Sequence, residues 1–410
     1  MKILHINTNS TVGGAAVAAN RLHQGLLKNR VDSQFLFKYG NIDNQTFIKY
    51  PLSYGLINKV ENKYKKYLLN KYPNRTETRF SIENHFGNVS DYINAMDIDI
   101  VHLHWINNFL RVEDISNINK PIVWSLHDMN PFTGGCHYDE ECEGYRSNCG
   151  TCRVLSENKA CNRSYNALLK KETLWLKQDI TVNGLSKWLA ECAKSSRLFS
   201  NRTIVNIPNP IDLECFNVID KVTARDRLSL PLNKKIILFG AWGVNSDPRK
   251  GFSYFKKAIS KTNLKKDELV ILLLGDPPID EANNEFDIIS LGFVSSNKKL
   301  NLIYSAVDVF ISPSKQENLS NMILESLACG TPVVAFNIGG NSDMIVHKNN
   351  GFLANAFDEK SLAEGLDWTL EDEIRIRHLS INSRQSVANK FDLNTVITKY
   401  IELYMKIKNK

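Results

Sequence analysis

The feature that most constrains the fold of this chain is a regular alternation of short apolar runs with helix-compatible stretches. The first series of runs covers residues 2–6, 34–37, 100–104, 122–126, 181–183 and 203–207, and the second covers 235–239, 269–274, 288–291, 309–312 and 332–336. Runs such as 236–239 are apolar at every position, as expected for parallel strands that helices cover on both faces. The alternation therefore predicts an α/β protein with doubly wound parallel sheets.

Chain length and the gap between the two series predict two domains. A chain of 410 residues is too long for one ordinary core. A Pro-Asn-Pro sequence at 208–210 separates the series, followed by a polar stretch that reaches Pro231 without clear periodicity. We therefore assign residues 1–207 to the first domain and 208–390 to the second. We expect residues 391–410 to form a last helix that packs back toward the first domain.

Composition excludes several classes of protein. Hydrophobic residues make up 43% and charged residues 23% of the chain, which rules out disordered and fibrous proteins. The net charge of +7 is too small to indicate a nucleic-acid partner, but it is compatible with an anionic substrate or a lipid surface. The apolar runs are far shorter than the ~20 residues of a membrane span. Because Met1 leads directly into the first predicted strand, we expect no signal peptide and a cytoplasmic protein.

A glycine pair follows the first predicted strand. Gly13 and Gly14 stand at a strand-to-helix turn, and residues 15–27 are helix-compatible. Glycine lets the backbone approach a ligand, and the N–H groups at a helix N-terminus attract an anion. A tight turn without a ligand is the alternative. The chain lacks a Gly-x-Gly-x-x-Gly fingerprint, which disfavours a dinucleotide enzyme.

The most informative pattern is a pair of glutamates, Glu317 and Glu325, around the start of a predicted helix. Ser320 is the expected N-cap of that helix, and Gly330 ends it. Glu317 then lies in the loop at the carboxyl end of a strand, where open α/β sheets bind ligands. Glu325 falls at the margin of the apolar stripe of the helix, so its carboxylate needs partners. One glutamate here would be a structural cap or an ion-pair member, but two form a more specific pattern.

This segment resembles the E-x(7)-E motif of the retaining glycosyltransferases of family four. Other parts of the chain that agree with this family are Gly13-Gly14-Ala15, Ser186, 209–212, Gly339-Gly340 before Asp343, and 349–353. The resemblance covers nearly the whole chain and implies the GT-B fold, in which two Rossmann-like domains with parallel sheets face each other. It also implies a role in bacterial surface polysaccharide assembly, such as that of O-antigen or capsule. A Cys-rich insertion at about 130–162 departs from the commonest members.

The resemblance implies that the second domain binds a nucleotide diphosphate sugar, with a UDP-sugar as the first choice and a GDP-sugar as the alternative. Glu325 would bind the ribose hydroxyls, and Glu317 would face the hydroxyls of the transferred sugar. The backbone that cradles the sugar and the phosphates would belong to Asn318, Leu319 and Ser320. Gly14 would contribute to donor binding from the first domain.

Two basic residues normally hold the diphosphate in this family. One belongs to a Lys-Gly pair, here Lys250-Gly251, and the other to a Gly-Arg pair that is replaced by Gly240-Ala241-Trp242. Arg249 is the candidate substitute, with a surface loop charge as the alternative. Fixed cations stabilise the charge that develops when the bond to the diphosphate breaks, so we assign Lys250 to catalysis together with Glu317. Such a clamp replaces the metal of other glycosyltransferases, and neither a catalytic cofactor nor an Asp-x-Asp metal motif is expected at the reaction centre.

A third pattern, His127-Asp128, ends a strand of the first domain. The resemblance implies that such a histidine lies near the transferred sugar and the acceptor, and we therefore assign His127 to catalysis. Asp128 would fix its tautomer or contact substrate, while a structural histidine is the alternative. His104 would line the acceptor side with Asp128. For His102 and His104, we expect strand alternation to bury one imidazole on each face.

Four closely spaced cysteines in the insertion predict a structural zinc site. The four ligands would be Cys136, Cys142, Cys149 and Cys152. A disulfide framework is typical of small secreted chains, so a tight cluster in a reducing compartment favours metal. Four thiolates leave no open position, and a catalytic zinc is therefore not expected. Reduced thiols without metal, or a labile disulfide, are the alternatives.

A basic amphipathic stretch lies between residues 59 and 75. Its basic residues are Lys59, Lys63, Lys65, Lys66, Lys71 and Arg75, and its apolar ones are Val60, Tyr64, Tyr67, Leu68 and Leu69. In glycosyltransferases that act on lipid-linked acceptors, such a surface docks on anionic membrane, here the inner face of the plasma membrane. A solvated helix face is the alternative.

These patterns predict a retaining glycosyltransferase that moves a hexose or N-acetylhexosamine from a nucleotide diphosphate sugar to a glycan or lipid-linked oligosaccharide. The acceptor would enter over the first domain near Gly14, His104 and His127. Two other classes stay open. A GT-B epimerase or hydrolase would turn over the donor alone, and a non-catalytic scaffold would serve glycan assembly. The missing Gly-Arg pair favours the scaffold, whereas the intact glutamate pair argues against it.

Overall fold

The computed structural model describes residues 1–51, 55–241, 247–275 and 286–409. Trp242, one of the residues that replace the Gly-Arg pair, lies outside these ranges. The chain divides into two compact units. Unit 1 comprises Met1–Asn209 and Val396–Lys410, and unit 2 comprises Pro210–Thr395.

Unit 1 is built on a parallel sheet. Its strands are β1 Lys2–Asn9, β2 Asp32–Tyr39, β3 Phe47–Lys49, β4 Ile100–Leu103, β5 Ile122–Leu126, β6 Ile180–Gly184 and β7 Thr203–Val205, in the order β3-β2-β1-β4-β5-β6-β7. Its helices are α1 Gly14–Lys28, α2 Gly55–Asn70, α3 Val89–Asn94, α4 Val112–Asn117, α5 Arg163–Trp175 and α6 Lys187–Lys194. Every residue of β4, β5 and β6 is buried, as expected for parallel strands that are covered on both faces.

Unit 2 contains a second parallel sheet. Its strands are β8 Lys235–Ala241, β9 Leu269–Gly275, β10 Asp287–Ser290, β11 Val309–Ser312, β12 Val333–Phe336 and β13 Gly351–Ala354, in the order β10-β9-β8-β11-β12-β13. Its helices are α7 Lys221–Arg227, α8 Phe252–Ile259, α9 Asn297–Ala306, α10 Asn321–Ala328, α11 Asn341–Met344, α12 Glu359–Leu370 and α13 Glu373–Lys390. The two sheets confirm the predicted α/β architecture. Sequence analysis missed β3 and β13, because one is a short, half-exposed strand and the other begins at a glycine.

The last helix, α14 Leu393–Lys408, belongs to unit 1 from Val396 onward. Two buried tyrosines on this helix bind strand residues of unit 1. The Tyr404 hydroxyl lies 2.6 Å from Nδ1 of His102. The Tyr400 hydroxyl accepts a hydrogen bond of 2.7 Å from Nδ2 of Asn183. Buried phenols need such partners, and these bonds fix the helix to the sheet.

The chain order of each sheet reverses once, between β1 and β4 in unit 1 and between β8 and β11 in unit 2. Open α/β sheets bind ligands at such points, outside the carboxyl ends of the strands. The loops that leave β1, β4, β5, β8 and β11 carry most of the predicted site residues. Among the helices of the described ranges, none combines the length and apolar character that crossing a bilayer requires.

Candidate active site

In unit 2, two loops far apart in sequence bring Lys250 and Glu317 together. Lys250 ends a short 3-10 turn after β8, and Glu317 lies between β11 and α10. The Nζ atom of Lys250 lies 3.2 Å from Oε2 of Glu317, and both side chains are partly buried. The ammonium retains donors for an anion, and the carboxylate retains lone pairs for hydroxyl groups. The pair therefore combines a fixed cation with a hydroxyl-binding carboxylate.

Two glycines allow these loops to approach so closely. Gly251 has a φ of 74°, and an added Cβ would lie 1.9 Å from the carbonyl oxygen of Pro313. Gly339 has a φ of 50°, and an added Cβ would lie 2.0 Å from the carbonyl oxygen of Glu317. Any side chain at either position would push the loops apart. Close packing around the Lys250–Glu317 pair is thus the physical reason for both glycines.

Helix α10 carries Glu325 on a buried face. The Ser320 hydroxyl accepts a hydrogen bond from the Ile323 N–H, which confirms Ser320 as the N-cap of this helix. Glu325 is only 5% exposed, and the Tyr304 hydroxyl donates to its Oε2 at 3.0 Å. Because a buried carboxylate is costly without hydrogen bonds, Tyr304 helps to hold Glu325 in this position.

The remaining donor-site candidates of unit 2 surround this pair. Asn318 and Leu319 are buried in the loop that leads to α10. Arg249 forms an ion pair of 2.5 Å with Asp247, and its backbone oxygen accepts a hydrogen bond from the Lys315 N–H. Arg249 is thus next to Lys250 in the chain but pairs with another carboxylate. That Arg249 takes the role of the arginine in the missing Gly-Arg pair stays a prediction.

Two polar atoms beside Glu317 were not found by sequence reasoning. Within the described ranges, Oε1 of Gln316 and Oδ1 of Asn341 are buried and have no hydrogen-bond partner. Gln316 precedes Glu317, and Asn341 follows Gly340, whose N–H donates to the Glu317 carbonyl oxygen. Buried polar atoms are nearly always satisfied, so unpaired acceptors next to Glu317 are suited to bind donor groups of a ligand.

In unit 1, imidazoles form a hydrogen-bonded row at the carboxyl ends of neighbouring strands. Nδ1 of His5 lies 3.0 Å from Nε2 of His104, and Nδ1 of His104 lies 3.2 Å from Nε2 of His127. Burial lowers the pKa of His127 to about 4 and places the pKa of His104 well below its usual value. The row is therefore neutral at pH 7, and each imidazole sets the tautomer of the next.

The expectation that His102 and His104 lie on opposite faces is wrong. Their rings stack with centroids 4.3 Å apart, because residues two apart in a strand point to the same face. His5, His102 and His104 have ligand atoms within 4.8 Å of one another, a spacing that a metal ion would require. However, both ring nitrogens of His102 already lie within hydrogen-bond distance of hydroxyls, those of Tyr404 and Ser125. Hydrogen bonds thus account for His102, whereas Nε2 of His5 is buried and has no hydrogen-bond partner within the described ranges.

Asp128 binds a second histidine that sequence reasoning missed. Its Oδ2 lies 2.6 Å from Nδ1 of His137 and accepts a hydrogen bond of 3.0 Å from Nε1 of Trp105. Burial would raise the pKa of Asp128, but His137 and these hydrogen bonds hold it below its usual value. Asp128 is therefore ionised and orients His137 and Trp105, while His104 fixes Nε2 of His127.

These acceptor-side candidates line one narrow cleft of unit 1, with a volume of about 60 Å³. His104, His127 and Asp128 lie in its wall together with Trp105 and the buried Lys171. Gly14 does not line this cleft. It is the first residue of α1, after Gly13 with its φ of 93°.

The four cysteines predicted to bind zinc lie in one region without forming a closed site. Cys136 and Cys152 pack in an apolar cluster, Cys149 is buried in the main core of unit 1, and Cys142 is exposed. Burial holds the pKa of Cys136 well above its usual value and raises that of Cys149 to about 11. In the described part of the chain, no three of these thiols have sulfur atoms within 4.8 Å of one another. Zinc binding by these four cysteines stays a prediction.

An Asp-x-Asp sequence does occur in the chain, at Asp97-Ile98-Asp99. Both aspartates precede the amino end of β4, and both carboxylates have basic partners. Asp97 forms an ion pair with Lys2, and Asp99 accepts hydrogen bonds from the Lys2 backbone and from Lys408. These aspartates therefore lie at the opposite edge of the sheet from His104 and His127.

Comparison with known proteins identifies the relatives of the chain. Residues 233–372, which include Lys250, Glu317 and Glu325, match the family described as "Glycosyl transferases group 1". This segment of the chain is similar to group 1 glycosyltransferases. An uncharacterized glycosyltransferase of Methanocaldococcus jannaschii is 22% identical over 75% of this chain and 75% of its own length.

One further relative and one solved structure are also similar to this chain. The Escherichia coli UDP-Gal:alpha-D-GlcNAc-diphosphoundecaprenol alpha-1,3-galactosyltransferase is 29% identical over 48% of this chain and 53% of its own length. The pneumococcal O-GlcNAc transferase GtfA, solved with UDP and GlcNAc, has a TM-score of 0.67 at 13% identity and covers 100% of this chain and 99% of its own. This structural likeness confirms the GT-B fold.

Proposed function

We propose that this chain is a retaining glycosyltransferase that moves a hexose or N-acetylhexosamine from a UDP-sugar to a glycan or lipid-linked oligosaccharide. The observation that carries the proposal is the presence of both the Lys250–Glu317 pair and the buried Glu325 inside the segment that matches the glycosyltransferase family. UDP is preferred as the nucleotide because UDP is bound in the pneumococcal neighbour and named in the E. coli relative.

The geometry of unit 2 suits a nucleotide diphosphate sugar. Glu325 would accept hydrogen bonds from ribose hydroxyls, and Glu317 would accept them from the transferred sugar. Lys250 would stabilise the diphosphate as negative charge develops on the leaving oxygen. The free N–H groups at the start of α10, together with the positive end of the helix dipole, also favour an anion.

The proposed reaction needs no protein nucleophile. The bond between the anomeric carbon and the β-phosphate oxygen breaks, and its electron pair stays on that oxygen. The acceptor hydroxyl oxygen forms the new bond to the anomeric carbon on the same face, and its proton passes to the leaving phosphate oxygen. The anomeric configuration is thereby retained.

Glu325→Ala is expected to weaken UDP-sugar binding by about 10- to 100-fold, because hydrogen bonds to a charged group contribute about 1.5–3 kcal/mol. Isothermal titration with a panel of nucleotide sugars measures this change. Release of nucleoside diphosphate in the presence of an acceptor extract measures the loss of transfer.

Tyr304→Phe is the matched control, because it removes the protein hydrogen bond to Glu325 and leaves the carboxylate in place. This variant should lose stability while retaining most donor affinity. Equal affinity of Glu325→Ala and wild type for every nucleotide sugar would contradict the proposal. Donor turnover that does not depend on acceptor would instead favour the epimerase or hydrolase.

We also propose that α2 docks on anionic membrane. Val60, Tyr64 and Tyr67 form an exposed stripe along this helix, with exposed fractions of 54%, 45% and 58%. Exposed lysines, among them Lys63 and Lys66, flank the stripe. An apolar stripe between lysines is typical of helices that lie in a membrane interface.

Lys65 is not one of the exposed lysines that flank this stripe, contrary to the sequence-based expectation. It is only 8% exposed, and its Nζ binds Glu61, Asn84 and Asn108. The helical period places Lys65 one turn after the buried Glu61, on the face that packs against unit 1. Its burial also lowers the pKa of Lys65.

The double variant Lys63→Glu, Lys66→Glu is expected to weaken binding to phosphatidylglycerol vesicles by about 30-fold or more, since each lysine near an anionic surface contributes about 1 kcal/mol. Vesicle sedimentation measures the effect. The control is Lys256→Glu with Lys257→Glu, which makes the same charge change on exposed residues of α8. Equal binding of both double variants would refute docking through α2.

A further inference from the structure

A second cleft of unit 1 adjoins the one that contains His127. This polar groove has a volume of about 430 Å³, and its wall includes Tyr72, Phe80, Glu83, Glu157, Asn162 and Arg163. The groove and the His127 cleft share part of their walls. The shared residues are Ser81, Ile82, Glu83, Gly134 and Ala167. Because the volume of the polar groove lies within the range of about 300–1,000 Å³ for a ligand site, the groove offers space for a ligand beside the His127 cleft.

The polar groove concentrates hydrogen-bonding atoms that have no protein partner. Within the described ranges, Oε1 of Glu83, Oε2 of Glu157, Nδ2 of Asn162 and Nε of Arg163 are all buried and unpaired. Asn162 is only 4% exposed. Buried polar atoms are rarely left unsatisfied, and here four of them belong to the wall of one groove.

Local structure explains why the amide nitrogen of Asn162 is unpaired. Asn162 is the N-cap of α5, and its Oδ1 accepts a hydrogen bond of 2.9 Å from the Tyr165 N–H. Capping uses only the oxygen of the amide, so the two N–H donors remain for another partner. Glu83 likewise uses only one of its polar atoms: Oε2 binds Lys170 at 2.8 Å, and Oε1 is unpaired.

The mixture of donors and acceptors indicates the class of ligand. Asn162 and Arg163 offer donors, whereas Glu83 and Glu157 offer acceptors. Although Lys159, Arg163 and Lys170 also line the groove, a phosphate has only acceptors and would leave the two unpaired carboxylate oxygens without a donor. A sugar hydroxyl both donates and accepts, and the rings of Tyr72 and Phe80 supply an apolar wall for its C–H groups.

We infer that the polar groove binds further sugar units of an oligosaccharide whose reactive end lies beside His127. This inference rests on the proposed function and specifies its acceptor as a chain of several sugars. Ser81, which belongs to both walls, connects the two clefts. It lies 2.7 Å from His137, and His137 binds Asp128. The groove thereby connects the acceptor-side residues to the start of α5.

The test is binding of the full chain to an array of defined mono- to tetrasaccharides of hexoses and N-acetylhexosamines. We expect retention of tri- or tetrasaccharides and not of their monosaccharides. Asn162→Asp keeps the capping oxygen and removes the two donors, and Arg163→Lys keeps the charge and removes Nε. Each variant should weaken retention about tenfold. The control Lys177→Ala, an exposed lysine just beyond the far end of α5, should bind like wild type.

The inference is overturned if no oligosaccharide of the array is retained, or if both groove variants retain it as well as wild type does. Thermal stabilisation by UDP-sugars serves as an independent check of unit 2 and of correct folding in each variant. Glycan binding without any response to nucleotide sugars would refute the transferase and leave the groove intact. The reverse result would refute the groove alone.

Discussion

Lys250→Ala is expected to lower kcat for sugar transfer by about 100- to 1,000-fold. Removal of one preorganised electrostatic group that acts on developing charge costs about 2.7–4 kcal/mol of transition-state stabilisation. The charge on the diphosphate grows as the glycosidic bond breaks, so the ammonium acts more strongly on the transition state than on the bound donor. KM for the UDP-sugar should therefore change much less than kcat. Steady-state kinetics with saturating acceptor separates these two effects.

The matched control is Lys257→Ala, which removes an exposed lysine of the following helix, α8. It should leave kcat unchanged. Lys250→Arg should restore part of the rate, because it keeps the charge but not the compact geometry of the ammonium. A kcat for Lys250→Ala within threefold of wild type would exclude electrostatic catalysis by this residue.

Asp308→Ala is expected to destabilise unit 2 by about 3–5 kcal/mol, the typical cost of removing one partner of a buried ion pair. Asp308 lies 2.7 Å from Arg225 of α7 and 2.6 Å from Lys221, and its Oδ2 accepts a hydrogen bond from the Ile236 N–H of β8. Asp308 and Arg225 are about 95% buried as side chains. Without the carboxylate, the guanidinium of Arg225 would remain as an uncompensated buried charge. Calorimetry should show a lower transition temperature for unit 2 and an unchanged one for unit 1.

The pH dependence of this stabilisation has a defined sign. Burial would raise the pKa of Asp308, but Lys221 and Arg225 outweigh it and hold the pKa below its usual value. A carboxyl group with a lowered folded-state pKa stabilises the protein at neutral pH, and this contribution is lost as the pH falls through that pKa. Glu268→Ala is the control, because it breaks only the exposed pair with Lys265 and should not shift the transition. A transition of Asp308→Ala equal to that of wild type would contradict the role of the pair.

The sequence contained most of the information about the two sheets and the donor loop. Residues 236–239 and 309–312 predict buried parallel strands, because a strand that is covered on both faces must be apolar at every position. Ser320 and Gly330 predict the ends of α10, because capping is a local property of the backbone. The Glu317–Glu325 spacing is likewise local, and it indicates the donor site before any tertiary contact is known.

Other features depend on contacts between residues far apart in sequence. The pairing of Lys250 with Glu317 requires Gly251 and Gly339 to pack against loops more than 20 residues away, which no local pattern encodes. Lys65 resembles a surface lysine in sequence, and only packing against Asn84 and Asn108 shows that it is buried.

The acceptor side shows the same division. His127-Asp128 is visible in the sequence as a polar pair that ends a strand, but the row from His5 through His104 to His127 exists only because β1, β4 and β5 are neighbours in the sheet. The polar groove likewise requires the insertion to bring Glu157 and Asn162 close to Glu83. The sequence by itself determined the fold class and the loop that carries Glu317, since both follow from local periodicity and capping. Tertiary structure decided which side chains meet and which polar atoms remain for a ligand, because contacts across the sheet and the insertion join distant parts of the chain.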